Sequence, residues 1–177
     1  MHRFLITAAF VLPTAAFAVG SDDSNPPTST ETTTQCSSGK VWSDSKQKCV
    51  NPQSGALQDD QLYDAARELA YAGKYLETLG VLDAMSDAND DRVLTYRGFV
   101  HRKLGDVELG NAYYRQAIAQ NPDNLLARSY MGQGFVASGD LVAAKAQLTE
   151  IRTRGGRNSW AEIALRMAIE NGQGSSY

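Results

Sequence analysis

The sequence predicts an all-α chain built from repeated helical units, and three observations support that reading. Gly98, Gly105 and Tyr114 have counterparts 34 residues on, at Gly132, Gly139 and Leu148. A fixed period of this size marks a repeat array rather than a catalytic fold. Leu62, Ala65, Ala66 and Leu69 fall at i, i+3, i+4 and i+7, as do their counterparts in later units, which is one face of a helix. The punctuation recurs as well. Gly105-Asp106 and Gly139-Asp140 each join a glycine that can end one helix in the left-handed conformation to an aspartate that can cap the next.

In chain order, Met1–Ala18 reads as a cleaved signal peptide: His2 and Arg3 give a basic start, Phe4–Leu12 an apolar run, and Ala16-Phe17-Ala18 a small-x-small cleavage site. The apolar run falls well short of the roughly 20 residues a spanning helix needs. No membrane span is therefore expected after cleavage at Ala18, and the expected location is periplasmic or secreted. No cysteine follows the cleavage point closely, which argues against a lipid anchor. Removing the signal takes away Arg3 and leaves 16 basic against 20 acidic side chains, a net charge of −4. A mildly acidic chain argues against a nucleic-acid partner.

Residues 19–35 read as a disordered linker. Ser21–Gln35 holds eight Ser or Thr residues, Pro26-Pro27 and three acids, with no aromatic or aliphatic side chain. Such a segment buries too little apolar surface to offset its ordering entropy. Residues 36–56 then form a disulfide loop and connector. Cys36 and Cys49 are the only cysteines, and the signal sends them to an oxidising compartment. A bridge would close a loop of about 14 residues, worth roughly 3 kcal/mol through the entropy of the unfolded chain. The run Cys36-x2-Gly39-x-Val41-Trp42…Cys49 loosely resembles short segments of secreted and envelope proteins, some of them in glycan-binding modules. Two readings stay open: a stapled hairpin with Trp42 packed on its own bridge, or a recognition element using Trp42 and Lys40. Pro52 and Gly55 break the chain before the array.

The array spans residues 57–172. Its best-formed unit, Asp91–Asn124, reads Leu94-x2-Arg97-Gly98-x2-His101, then Gly110-x3-Tyr114, then Pro122. The next reads Arg128-x2-Met131-Gly132-x2-Phe135, then Ala144-x3-Leu148. Upstream, Leu62-x2-Ala65-Ala66-x2-Leu69 and Thr78-x3-Leu82 give a first unit; downstream, Trp160-x2-Ile163-Ala164-x2-Met167 repeats the first half alone. These units resemble the tetratricopeptide repeat, W-x2-L-G-x2-Y…A-x3-F…P. The resemblance implies antiparallel helix pairs stacked as a short right-handed superhelix, about three units plus a closing helix. Glycine inside a helix costs about 0.5–1 kcal/mol against alanine, so Gly98 and Gly132 imply sites where helices approach closely. Asn121-Pro122 should stop a helix. The spacing from Ala66 to Gly98 is 32, which predicts a loop two residues shorter after the first unit. Arg97, His101, Arg128 and Gly110 depart from the pattern and predict looser packing in the middle. Gly155-Gly156 ends the third unit. The closing helix from Trp160 carries Glu162, Arg166 and Glu170 on its wet side, and residues 173–177 form a tail.

In proteins similar to this one, the first helices line a concave groove. That resemblance implies a partner-binding groove of Tyr63, Arg67 and Tyr71; Arg92, Thr95, Phe99, Arg102 and Lys103; and Ser129, Gln133 and Val136. Aromatic anchors beside Arg and Lys suit a protein or peptide segment bearing carboxylates. The expected function is that of a periplasmic or secreted adaptor in envelope assembly or complex scaffolding. The alternative is envelope-polymer (glycan) binding through the Cys36–Cys49 loop, with the array as docking surface. The Trp160 helix also offers a surface for self-association.

No enzyme, metal site or cofactor is expected. Without the signal, His101 is the only histidine, and it lies on a helix's apolar stripe. The cysteines are too far apart for a redox pair. Gly132-x-Gly134 lies within a helix rather than after a strand. Asp87–Asp91 lacks the Gly and Glu of a calcium loop.

Overall fold

The computed structural model describes residues 25–173. The signal segment Met1–Ala18, the start of the expected linker and the end of the tail lie outside the described residues. Among those described there are eight α-helices and one two-stranded antiparallel sheet.

Three helix pairs follow one another: α2 (Asp59–Tyr71) with α3 (Tyr75–Leu82), α4 (Asp91–Lys103) with α5 (Val107–Gln120), and α6 (Leu125–Ala137) with α7 (Leu141–Thr153). Helix α8 (Trp160–Asn171) closes the stack against α6 and α7. Each first helix also touches the next first helix, so α2, α4, α6 and α8 lie side by side.

The turns form for the reasons the sequence contains. Gly105 (φ +95°) and Gly139 (φ +82°) are left-handed, a conformation in which a Cβ would clash. Each lets the following amide reach back to a carbonyl five residues earlier, Asp106 to His101 at 2.9 Å and Asp140 to Phe135 at 2.8 Å. Asp106 and Asp140 then accept from the amides of Leu109 (3.2 Å) and Ala143 (2.9 Å), which caps α5 and α7. Asn121 is extended, and α5 stops before Pro122.

The middle pair corrects the expectation of loose packing. A Cβ on Gly98 would sit 2.7 Å from the Tyr114 ring and 3.0 Å from the Gly110 carbonyl, and one on Gly110 would sit 2.9 Å from the Gly98 carbonyl. The missing side chains are what let α4 and α5 close on each other. Gly132 makes room differently, for the Leu165 side chain of α8. Gly80, within α3, has nothing within 4 Å of its Cβ position. Two alanine substitutions should therefore move stability in opposite directions. Gly98→Ala is expected to destabilise by about 1–2 kcal/mol through overpacking, and Gly80→Ala to stabilise by about 0.5–1 kcal/mol through helix propensity. Thermal unfolding of the two variants reads both signs.

The first unit departs from the expected shortening of its loop. The helix is cut short instead: α3 has 8 residues where α5 has 14. The connection through residues 83–90 is longer than the one through 121–124. Asp, Ser and Asn side chains in this run compete for backbone groups and end the helix early. Arg97 binds Asp83 at 2.5 Å, and the Ser86 amide donates to Asp59 at 3.0 Å.

The other arginine that departs from the repeat pattern also holds a connection. Arg128, 7% exposed, donates to the Pro122 carbonyl at 3.0 Å. Glu162 corrects its expected place on the wet side of α8. It is 7% exposed and accepts from Arg152 at 2.8 Å and from the Asn158 amide at 3.0 Å. The Asn158 amide, then Arg152, hold its carboxyl below the usual range.

The N-terminal segment is built onto the stack rather than hung from it. β1 (Val41–Ser43) pairs with β2 (Lys48–Val50), with Trp42 opposite Cys49, and Cys36 is bridged to Cys49. Val41 and Val50 enter the same buried cluster as Leu57 and Leu62. Thr30 caps the short helix α1 (Glu31–Thr34), so the expected disorder to residue 35 is corrected for the end of that stretch.

The buried Glu68 of α2 is the reason. It accepts from the Thr30 amide (2.7 Å), the Thr30 hydroxyl (2.6 Å), the Thr33 amide (3.1 Å) and the Thr33 hydroxyl. Composition could not show this, because the ordering comes from a partner 35 or more residues away. Glu68→Gln, which replaces one acceptor oxygen by an amide donor, is expected to cost about 1–3 kcal/mol. Faster hydrogen exchange at the Thr30 and Thr33 amides would report it.

Candidate partner-binding face

The residues expected to line a groove arise from α2, α4 and α6, and helical spacing brings many of them together. At the centre stands Phe99, fully buried, with its ring 4.9 Å from Tyr130, 6.0 Å from Tyr71 and 6.0 Å from Tyr96. Tyr63 meets Tyr96 edge-on at 5.7 Å. The hydroxyls form a chain: Tyr71 to Tyr130 at 2.8 Å and Tyr130 to Tyr96 at 3.2 Å, with the Trp160 indole N–H donating to Tyr71 at 3.1 Å. One cluster thus ties all four first-position helices. Burial, with Tyr96 and Tyr71 beside it, pushes the Tyr130 hydroxyl well above its ordinary pKa.

Tyr96 and Tyr130 lie outside the expected groove set, yet both are fully buried at the centre of the cluster. They stand 34 apart, at the same place in successive units, and that identity was the signal available.

Tyr63, Arg67, Thr95, Phe99, Ser129, Gln133 and Val136 are buried, which corrects the expectation that a groove presents their side chains. Thr95 donates to the Asp91 carbonyl at 2.7 Å and accepts from Asn124 at 2.9 Å. Gln133 donates to Ser129 at 3.2 Å. Arg92 is taken up by Asp60 at 2.9 Å and Asp90 at 3.0 Å, and its guanidinium covers the Tyr63 ring at 4.9 Å. Arg67 donates to the Asn25 carbonyl at 3.0 Å. Tyr63, Arg67 and Arg92 therefore serve the first unit and its cap.

Arg102 and Lys103 remain at the edge of the cluster. Both are half-buried and lie over Phe99, at 5.7 and 5.5 Å from its ring. The Arg102 stem crosses α6 at Gly134, where a Cβ would come within 3.1 Å of it. Its Nε lies 3.5 Å from the Tyr114 hydroxyl, while its buried Nη2 has no hydrogen-bond partner among the described residues. Burial, and then the charge of Arg102, lower the Lys103 amine below its ordinary range. Arg102 thus carries a buried donor beside a second cation in a partly desolvated place, where an anion would relieve its cost.

His101 stacks on Tyr113 within its own helix pair, ring centres 5.5 Å apart. Among the described residues no group of His, Cys, Asp or Glu is arranged to hold a metal, and no helix is long and apolar enough to cross a membrane. No protein-family model, no curated protein and no solved structure matches the chain.

Proposed function

We propose that the chain is an extracytoplasmic tetratricopeptide-repeat adaptor, binding a carboxylate-bearing protein segment at the Arg102–Lys103 end of the face formed by α4 and α6. The 34-residue period, the shared turn geometry and the Gly98–Gly110 crossing support the repeat family. The formed Cys36–Cys49 bridge supports an oxidising compartment. The observation that carries the binding reading is Arg102 Nη2, a buried donor without an acceptor among the described residues, beside a second cation. Buried donors are almost always satisfied, so an exception points to a missing acceptor. The Arg102 stem packs between Phe99 and Gly134, and a side chain already packed loses less entropy on binding.

Affinity capture from envelope extract tests this with intact protein and an Arg102→Gln/Lys103→Gln variant of equal thermal stability. Specific partners should drop by about tenfold with the variant, the loss of roughly one charge-assisted contact. Equal recovery would overturn the proposal.

One observation favours a second reading, glycan binding at the N-terminal cap. A cleft of about 390 Å³ lies between the hairpin and α3, lined by Ser38, Lys40, Asn51, Gln53, Leu76 and Glu77. Trp42 stands outside this lining, with its indole N–H donated to Asp44 at 3.0 Å. Capture lost on Lys40→Ala but kept on Arg102→Gln would select this reading.

A further inference from the structure

Arg67 donates to the Asn25 carbonyl at 3.0 Å, and that contact fixes where the N-terminal stretch meets the inner side of the stack. Arg67 and Phe99 hold the same place in successive units, 32 residues apart like Ala66 and Gly98. Their helices, α2 and α4, touch, and neighbouring helices stand about 8–10 Å apart. A run of rings marks the side they share. The Arg67 guanidinium covers Tyr63 at 5.6 Å, Tyr63 meets Tyr96 at 5.7 Å, and Tyr96 meets Phe99 at 6.0 Å. Arg102 and Lys103 lie over that same Phe99 ring, at 5.7 and 5.5 Å. Asn25 is therefore set about one helix spacing from the Arg102–Lys103 end.

Directly upstream of Asn25 the sequence reads Ser21-Asp22-Asp23-Ser24. These four lie outside the described residues, but covalent geometry sets their reach. An extended chain advances about 3.3–3.6 Å per residue, so Asp23 reaches about 7 Å from Asn25 and Asp22 about 10 Å. The path also leads the right way. Thr30 and Thr33 are held on Glu68 and Asn25 on the adjacent Arg67, so the chain rounds α2 toward the inner side as it runs back. Two carboxylates thus come within range of a guanidinium and an amine, and Arg102 Nη2 is the buried donor that needs an acceptor. The described acids nearby are otherwise engaged: Asp64 lies 3.9 Å from Arg67, and Asp106 caps α5. The other adjacent acid pairs, Asp59-Asp60 and Asp90-Asp91, sit at the starts of α2 and α4, the far ends from Arg102.

We propose that the chain's own Asp22-Asp23 pair occupies the Arg102–Lys103 end in cis and masks it until a partner displaces the pair. This occupancy rests on the reading of that end as an anion site, and it adds the regulation of the site. An acid on so short a tether meets the cations at an effective concentration on the order of millimolar, which a partner segment must outcompete.

The test follows the carboxyl carbon NMR shifts of Asp22 and Asp23 through an acid titration of the whole mature protein. At least one of the two should titrate about one pH unit below the ordinary value near 3.9, the effect of an adjacent arginine. Arg102→Gln/Lys103→Gln should return it to that value. A displacement of one pH unit corresponds to a site about nine-tenths filled, so Asp22→Asn/Asp23→Asn should bind an Arg102-dependent partner about tenfold more tightly. Ordinary titration of both acids in the wild type would overturn the proposal, as would a lowered value that survives Arg102→Gln/Lys103→Gln. So would a lowered value lost on dilution, because the acids would then come from a second copy. Unchanged partner affinity in Asp22→Asn/Asp23→Asn would likewise overturn the masking. The adaptor reading fails separately. If the cis contact is absent but envelope capture still falls with Arg102→Gln/Lys103→Gln, that reading stands alone, and if capture is equal, both are lost.

Discussion

Tyr130→Ala is expected to lower stability by about 3–5 kcal/mol, the range for emptying a large aromatic site in a core. In a chain of this length each kcal/mol moves the melting temperature by roughly 2–4 °C, so a fall of about 6–20 °C should appear in a thermal melt. The side chain is fully buried, and three aromatic rings, Phe99, Tyr96 and Tyr114, lie around it. Four helices lose a common contact at once. Tyr130→Phe separates the hydroxyl from the ring. It keeps the packing but leaves the Tyr96 and Tyr71 hydroxyls without their shared neighbour, at an expected cost of about 1–2 kcal/mol. A fall of less than about 1 kcal/mol for Tyr130→Ala would mean that this cluster does not hold the stack together.

The same residue sets an alkaline limit. An unfolded tyrosine ionises near pH 10, whereas burial raises Tyr130 well above that and Tyr114 to about 12. Between those values the unfolded chain has lost protons that the native chain retains. Stability is therefore full below pH 10 and falls as pH rises beyond it. Tyr130→Phe should flatten part of that fall, as a pH series of melts would show.

Removing the bridge with Cys36→Ser/Cys49→Ser is expected to cost about 3 kcal/mol, from a closed loop of about 14 residues. The informative point is where that loss is felt. If the hairpin were an appended module, its loosening would leave the helical stack unchanged. Val41 and Val50 share a buried cluster with Leu57, Leu62 and Leu69, so the stack should melt earlier with it. Melting followed at 222 nm, a helical signal, with and without reductant, distinguishes these outcomes. An unchanged helical transition would refute the integral role of the hairpin.

Most of the helical architecture was legible in the residues. Periodicity, turn glycines, capping aspartates and Asn121-Pro122 each act over a few positions, and each did in three dimensions what its local chemistry requires. The candidate site was legible only in part. The resemblance to the repeat family implied one neighbourhood for Tyr71, Phe99, Arg102 and Lys103, but it could not tell which side chains neighbours would cover. Gln133 and Ser129 carry polar groups and read as surface, yet both are buried. Tyr96 and Tyr130 share one place in the repeat, but no local rule ranks one buried tyrosine above another.

What the chain determined by itself is therefore what short-range physics encodes: helix faces, their ends and the period that pairs them. Only the folded structure decided what depends on partners distant in sequence. Glu68 ordered the stretch at Thr30–Thr34, Gly98 and Gly110 tightened the pair expected to be loose, and four helices met at one chain of hydroxyls. Burial and hydrogen bonding belong to pairs of residues brought together by the whole stack, and neither member of such a pair announces the other.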